Sequence, residues 1–187
     1  MYPLFYSAAI SPSTRVGQFV ADEPRLGWTF KLLQQAPHAE IYIVGGAARD
    51  AVRGVLPKGL HVVVRNLSLA QLNEALRKLG QTDPHNNASL WFRPEHFLND
   101  ESIEVSSVNT PITFDLGQRD FTMNAMAYSL NSGSLIDPFG GVRDVNNRQL
   151  SAVGRPSARF DEQPRRALRA LRLASEHRYG IEGATWK

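Results

Sequence analysis

A chain of 187 residues, 42% hydrophobic and 21% charged, is long enough to bury one core with a small appendage, so one main domain is expected. The absence of cysteine excludes disulfides, thiolate catalysis and cysteine-ligated zinc, and it suits a reducing compartment such as the cytoplasm. No run reaches the roughly 18–20 apolar residues of a membrane span, and the first residues lack the basic start and apolar stretch of a secretory signal, so a soluble chain with no membrane contact is expected.

The formal charge of +3 says little as an average, but its distribution is uneven. Arg155, Arg159, Arg165, Arg166, Arg169, Arg172 and Arg178 face only Asp161, Glu162 and Glu176 in the same stretch. Such a basic segment is either a solvated helix face or a phosphate-binding surface.

In chain order, residues 1–22 show no sustained period and include Ser11-Pro12-Ser13-Thr14, which predicts an irregular arm. A helix is predicted over Pro24–Gln35. The apolar run Ile41–Val44 ending at Gly45-Gly46 predicts a buried strand entering a tight turn, with a short helix over Ala47–Arg53 closed by Gly54. Leu60–Val64 is a β-branched strand. Ser68 and Gln71 form a capping-box pattern ahead of Leu69, Leu72, Leu76 and Leu79, an amphipathic helix with both ends marked.

Between Gln81 and Asn99, Leu90-Trp91-Phe92 suggests a strand that Pro84, Asn86, Asn87 and Pro94 interrupt. Ile103–Val108 predicts another strand. Asp120 is placed to cap a helix through about Ser129, and Leu135-Ile136 is a short strand before Asp137-Pro138-Phe139-Gly140-Gly141. Pro164 opens a last helix to about His177, with Leu168, Leu171 and Ala174 predicted inward and Arg165, Arg169 and Arg172 on another face.

The strand, Gly45-Gly46 and the following helix with Arg49-Asp50 bring free backbone amides and a guanidinium to one helix start, an arrangement suited to an anion. The same residues are also compatible with a plain tight turn in which Arg49 pairs with Asp50. Three clusters follow: Arg119-Asp120-Phe121-Thr122-Met123-Asn124, then Asp137-Pro138-Phe139-Gly140-Gly141, then Glu162-Gln163-Pro164-Arg165-Arg166 with Arg169. Taken singly, Asn124 reads as an ordinary polar helix residue and Asp137 as a turn acid.

In order and spacing the four clusters, from about Ile41 to Thr185, resemble the tRNA nucleotidyltransferases (CCA-adding enzymes) and bacterial poly(A) polymerases. The resemblance implies an α/β (α+β) fold of the polymerase-β-like nucleotidyltransferase type, a mixed sheet backed by helices. It implies a head over residues 23–145 and the start of a helical neck over 146–187. It implies ATP or CTP as ligands, Mg2+ as cofactor and an RNA 3′ end, such as that of tRNA, as partner. Gly45, Gly46, Arg49 and Asp50 would contact the triphosphate, and Arg119, Asp120 and Asn124 the sugar and phosphates. Asp137 and Gly140-Gly141 would form the hinge, Arg165 and Arg172 would face RNA, Glu162, Gln163 and Arg166 would read the base, and Arg169 would also contact the nucleotide. Gln163 stands where the family has an aspartate; its amide keeps an acceptor and adds a donor.

The chain departs further at the family's Asp-x-Asp. Two-metal nucleotidyl transfer uses carboxylates at i and i+2 on one side of a strand, and this chain carries Gly59 and His61 there. Gly59 offers no ligand, and an imidazole suits a transition metal better than magnesium. Glu104, in Ile103-Glu104-Val105, is the candidate surviving carboxylate, with a solvent-facing strand acid as the alternative. The expectation is a protein that binds nucleotide and RNA with impaired catalysis. The alternatives are an active enzyme with compensating ligands, or a head that dimerises or completes a partner nucleotidyltransferase chain.

Overall fold

The computed structural model describes residues 10–95 and 101–186. The predictions for Met1–Ala9, for residues 96–99 and for Lys187 lie outside the described residues.

The irregular arm is corrected from Pro12 onward: Pro12–Asp22 is a helix, α1. Ser11 is its N-cap and accepts from the Thr14 amide at 3.1 Å, and Pro12 occupies the first turn, so residues that resemble a loop are a helix start. Val16 and Phe19 bury one face. Gly17 lets that face approach the sheet, since a Cβ there would lie 2.7 Å from the Tyr128 hydroxyl. A 3-10 turn, Pro24–Leu26, leads into α2, Gly27–Gln35.

The centre of the molecule is β1, Glu40–Val44, followed by α3, Gly46–Val52. The next elements are β2, His61–Arg65, and α4, Leu69–Arg77, the latter with the full capping box of Ser68 and Gln71. Three strands follow: β3, Gly80–Asn86, β4, Ser89–Pro94, and β5, Ile103–Val108. Pro84 is accommodated because β3 lies at the sheet edge, where a missing donor leaves no partner unpaired. A short helix, α5, covers Ile112–Gly117.

The helix predicted from Asp120 to Ser129 does not form. Phe121 bridges to Ala152, Thr122–Asn124 is a 3-10 turn, and Ala127–Ser129 is a strand, β6. The free edge of β1 accepts β6 in antiparallel register, Ile43 opposite Tyr128, and this pairing overrides local helix preference. Ser134–Ile136 forms β7, and α6, Gly141–Asn146, is capped by Asp137, whose carboxylate accepts from the Gly141 and Val142 amides at 2.6 and 2.9 Å. Next come β8, Gln149–Leu150, α7, Pro156–Glu162, and α8, Arg165–His177. The described chain ends with β9, Gly180–Ile181, and α9, Gly183–Trp186.

The described residues make a seven-stranded mixed sheet in the order β3-β4-β5-β2-β1-β6-β7, with β2 and β5 parallel and the other pairs antiparallel. One face packs on α1 to α4, where Trp28 meets Phe92 edge-on at 5.0 Å. Leu150, Ala170, Leu173 and Tyr179 join that same core. A smaller cluster of Tyr42, Val44, Val63, Ile112 and Leu116 covers the other face.

The inward face of α8 is also corrected: Ala170 and Leu173 are buried, whereas Leu168 and Leu171 are 71% and 47% exposed. Alanine and leucine occur on several sides of this helix, so the apolar stripe alone does not fix its rotation. Among the described residues no helix is long and apolar enough to cross a membrane.

Candidate functional site

A cavity of about 420 Å³ opens where the carboxyl end of β1, the start of β2, and the α7–α8 junction converge. It is lined by Gly45-Gly46, His61 with Glu104, Arg119-Asp120 with Asn124, and Gln163, Arg166 and Arg169. Residues up to 124 positions apart in the sequence thus share one pocket, and most of the predicted site is among them.

The β1–α3 turn has the shape only glycine accepts readily. Gly45 has φ +68° and ψ −131°, and a Cβ on it would sit 2.8 Å from Arg119 Nη1. Arg49, however, is not at the cavity wall. It is buried, its Nε and Nη2 donate to the two Asp50 oxygens at 2.9 and 3.0 Å, and its Nη1 donates to Asn124 Oδ1 at 2.9 Å. Asp50 also receives Arg53 at 3.2 Å. Arg49 and Asp50 therefore brace the turn against Asn124 from behind, the internal pairing that the sequence left open.

Asn124 closes a second link, because its Nδ2 donates to Asp120 Oδ1 at 3.2 Å, which also accepts from the Phe121 amide at 2.8 Å. Asp120 is buried, and its Oδ2 lies 3.0 Å from Arg169 Nε across the pocket. That ion pair lacks hydrogen-bond alignment, so charge attraction is what joins α8 to the turn. Arg119 gives Nε and Nη2 to Asp115 at 3.1 and 2.9 Å, which turns Nη1 toward Gly45.

At the α7–α8 junction Gln163 is extended, at φ −147° and ψ 93°, as the residue before Pro164 tends to be. Glu162 and Arg166 consequently stand on two helices. Glu162 Oε2 takes Arg159 Nη1 and Arg166 Nη1, both at 2.9 Å, and hydrogen bonding from Arg166, more than attraction to Arg159, holds its carboxyl below the usual range. Arg166 Nη2 donates to the Gln118 carbonyl at 2.9 Å. Arg165 and Arg172 are exposed and do not line the cavity.

The position of the missing Asp-x-Asp is well defined. Gly59 lies in the bend before β2 and outside the cavity wall, and Arg25 braces this bend by donating to the Pro57 and Lys58 carbonyls at 3.3 and 3.4 Å. His61 stands opposite Glu104 in the parallel β2–β5 register, its Nδ1 3.9 Å from Glu104 Oε2 and its Nε2 hydrogen-bonded to Ser106 Oγ at 2.7 Å. Burial, followed by the charges of Arg119 and His85, brings the His61 pKa down to about 3, so the ring is neutral. Glu104 Oε1 accepts from Ser89 Oγ at 3.4 Å and lies 3.8 Å from His85 Nε2.

Magnesium would need several oxygen ligands. This wall offers one strand carboxylate, already engaged, beside a neutral imidazole. Among the described residues no group of three or more His, Asp or Glu side chains is arranged to hold a metal ion. The residues present do not fit the cofactor that the resemblance implies.

Residues 41–151 match the poly(A) polymerase head domain model, which is more than half of the 187 residues. The chain belongs to the poly(A) polymerase head-domain family. This head is 40% identical over 147 residues to a CC-adding tRNA nucleotidyltransferase of Halalkalibacterium halodurans, a match covering 78% of the chain and 37% of the relative. It superimposes on the Thermotoga maritima CCA-adding enzyme complexed with tRNA at a TM-score of 0.77 and 29% identity, over 91% of the chain and 43% of that protein. A CCA-adding enzyme complexed with ATP gives a TM-score of 0.76 at 29% identity, over 91% and 42%. The chain thus spans less than half the length of these relatives, and the expected mixed α/β head fold is the one observed.

The sequence did not single out His85, Ser106 or Asp115. Asp115 had an available signal, since it precedes Arg119 by four residues, the spacing of a helical ion pair. His85 and Ser106 had none, because strand pairing alone brings them to Glu104 and His61.

Proposed function

We propose that this head binds a nucleoside triphosphate, ATP or CTP, next to an RNA 3′ end, such as that of tRNA, and does not itself catalyse nucleotide transfer. The observation that carries the reading is the contrast within one cavity. The arginine, asparagine and glycine elements that would grip a triphosphate are present and braced, while Gly59 and His61 supply no carboxylate beside Glu104. Loss of the metal-binding carboxylates removes several kcal/mol of transition-state stabilisation, whereas binding through guanidiniums and backbone amides survives it.

The exposed arginines of α8, Arg165 and Arg172, extend the basic surface from the cavity and suit an RNA backbone. Residues 23–145 then serve as the head and 146–187 as the start of a neck, with a partner nucleotidyltransferase chain supplying chemistry. The test incubates the purified chain with labelled CTP or ATP, tRNA lacking its 3′ end, and magnesium or manganese, alongside equilibrium dialysis with nucleotide and RNA. Binding that weakens with salt and no label incorporation are expected. Incorporation that disappears on Arg119→Ala establishes an active transferase instead, and absence of any binding overturns the reading.

A further inference from the structure

We infer that the cavity takes the polyphosphate of a nucleoside triphosphate free of any divalent cation, with built-in guanidiniums doing the neutralising. The inference rests on the nucleotide-binding reading above and specifies which ionic form of the nucleotide is bound.

The cavity wall carries three guanidiniums, Arg119, Arg166 and Arg169, against two carboxylates, Glu104 and Asp120. An aspartate at position 61 would cancel that excess, and one at position 59, in the bend before β2, would add further negative charge; glycine and a neutral imidazole leave the wall positive. Both wall carboxylates are already engaged. Asp120 serves Phe121, Asn124 and Arg169, and Glu104 faces Ser89, His61 and His85. Two carboxylates, one of them ion-paired with Arg169, fall short of the oxygen ligands that magnesium takes.

The guanidiniums, by contrast, are oriented without being exhausted. Each has five N–H donors. Arg119 spends Nε and Nη2 on Asp115, and its Nη1 faces the glycine turn. Arg169 uses Nε toward Asp120, and its side chain remains 52% exposed at the cavity mouth. Arg166 is held by Glu162 and the carbonyls of Arg159 and Gln118. Partners such as Asp115 and Glu162 lower the net charge of the neighbourhood, but they sit behind the guanidiniums and outside the wall. A ligand in the cavity therefore meets donors first.

A bare triphosphate carries more negative charge than its magnesium complex and exposes all its oxygens to such donors. Charge-assisted N–H to phosphate bonds favour that form. Magnesium would withdraw oxygens from these donors, so the cation competes with the protein for the ligand.

The experiment is calorimetric titration of the whole chain with ATP, and separately CTP, in EDTA and again in magnesium exceeding nucleotide, at matched ionic strength. Affinity in EDTA is expected to equal or exceed that in magnesium. Binding that magnesium strengthens by more than about threefold, well under the 1.4 kcal/mol of a tenfold change, overturns the inference and leaves nucleotide binding standing. Absence of heat and of competition in both buffers overturns the nucleotide-binding reading itself. Arg169→Gln, with folding checked by circular dichroism, is expected to weaken binding in EDTA by about tenfold, the usual scale for one charge-assisted contact. Unchanged affinity in that variant also overturns the inference.

Discussion

Replacing both Gly59 and His61 with aspartate should create a divalent-cation site in this head. A side chain at position 59 meets nothing within 4 Å of its Cβ, and the backbone there is not in the left-handed region. The Gly59→Asp change is therefore sterically free and limits the unfolded chain, worth about 0.4–1 kcal/mol. His61→Asp gives up the hydrogen bond to Ser106, a loss of about 1 kcal/mol, and gathers new negative charge beside Glu104. Without metal the double variant should be less stable than the parent by up to about 1.5 kcal/mol. Manganese at a hundredfold excess over its Kd should restore about 2.7 kcal/mol, a rise of roughly 5–10 °C in Tm for a chain of this size. Thermal unfolding with and without manganese measures this, and the parent should shift by less than about 1 °C. An equal shift in the parent, or none in the double variant, refutes the argument that carboxylates at these two positions are what a metal site here lacks.

Gly45→Ala should cost about 2–3 kcal/mol, because φ is +68° and the new methyl would lie 2.8 Å from Arg119 Nη1; urea unfolding reads the loss, and nucleotide affinity should fall with it. Arg49→Ala removes a buried partner of Asp50 and Asn124 and should destabilise by about 3 kcal/mol in the same assay. For pH, His61 and His177 have folded values of about 3 and about 4, below the ordinary value, with burial the leading cause for each. The unfolded chain then binds protons first as pH falls. Stability is full above about pH 6.5 and drops below it by up to about 1.4 kcal/mol per pH unit for each histidine, until the folded values are reached. His177→Gln should lessen that slope between about pH 6 and pH 4 in denaturant titrations.

Parts of this fold were legible because local signals agreed. Ile41–Val44 is a continuous apolar run ended by glycines, and α4 has a capping box ahead of regularly spaced leucines. Where the readings failed, a distant partner decided. Residues 127–129 are a strand because β1 has an edge to fill, and β3 survives Pro84 because its own outer edge is unpaired. The rotation of α8 is set by Ala170 and Leu173 entering the core, which a helix carrying alanine or leucine at 167, 168, 170, 171, 173 and 174 does not announce.

The site repeats this division at the level of single side chains. Arg49 and Arg119 belong to the same residue type, each follows a motif of the family, and each was assigned to a phosphate. Asp50 and Asn124 take three of the Arg49 nitrogens and bury them, which makes it a brace. Asp115 takes only two nitrogens of Arg119 and leaves the third at the cavity wall. What separates a structural guanidinium from a ligand-facing one is how many of its nitrogens the fold has already used. That number depends on residues 75 positions away in the first case and four in the second. Only the short spacing can be read along the chain, so motif matching finds the arginines while the folded packing assigns their work.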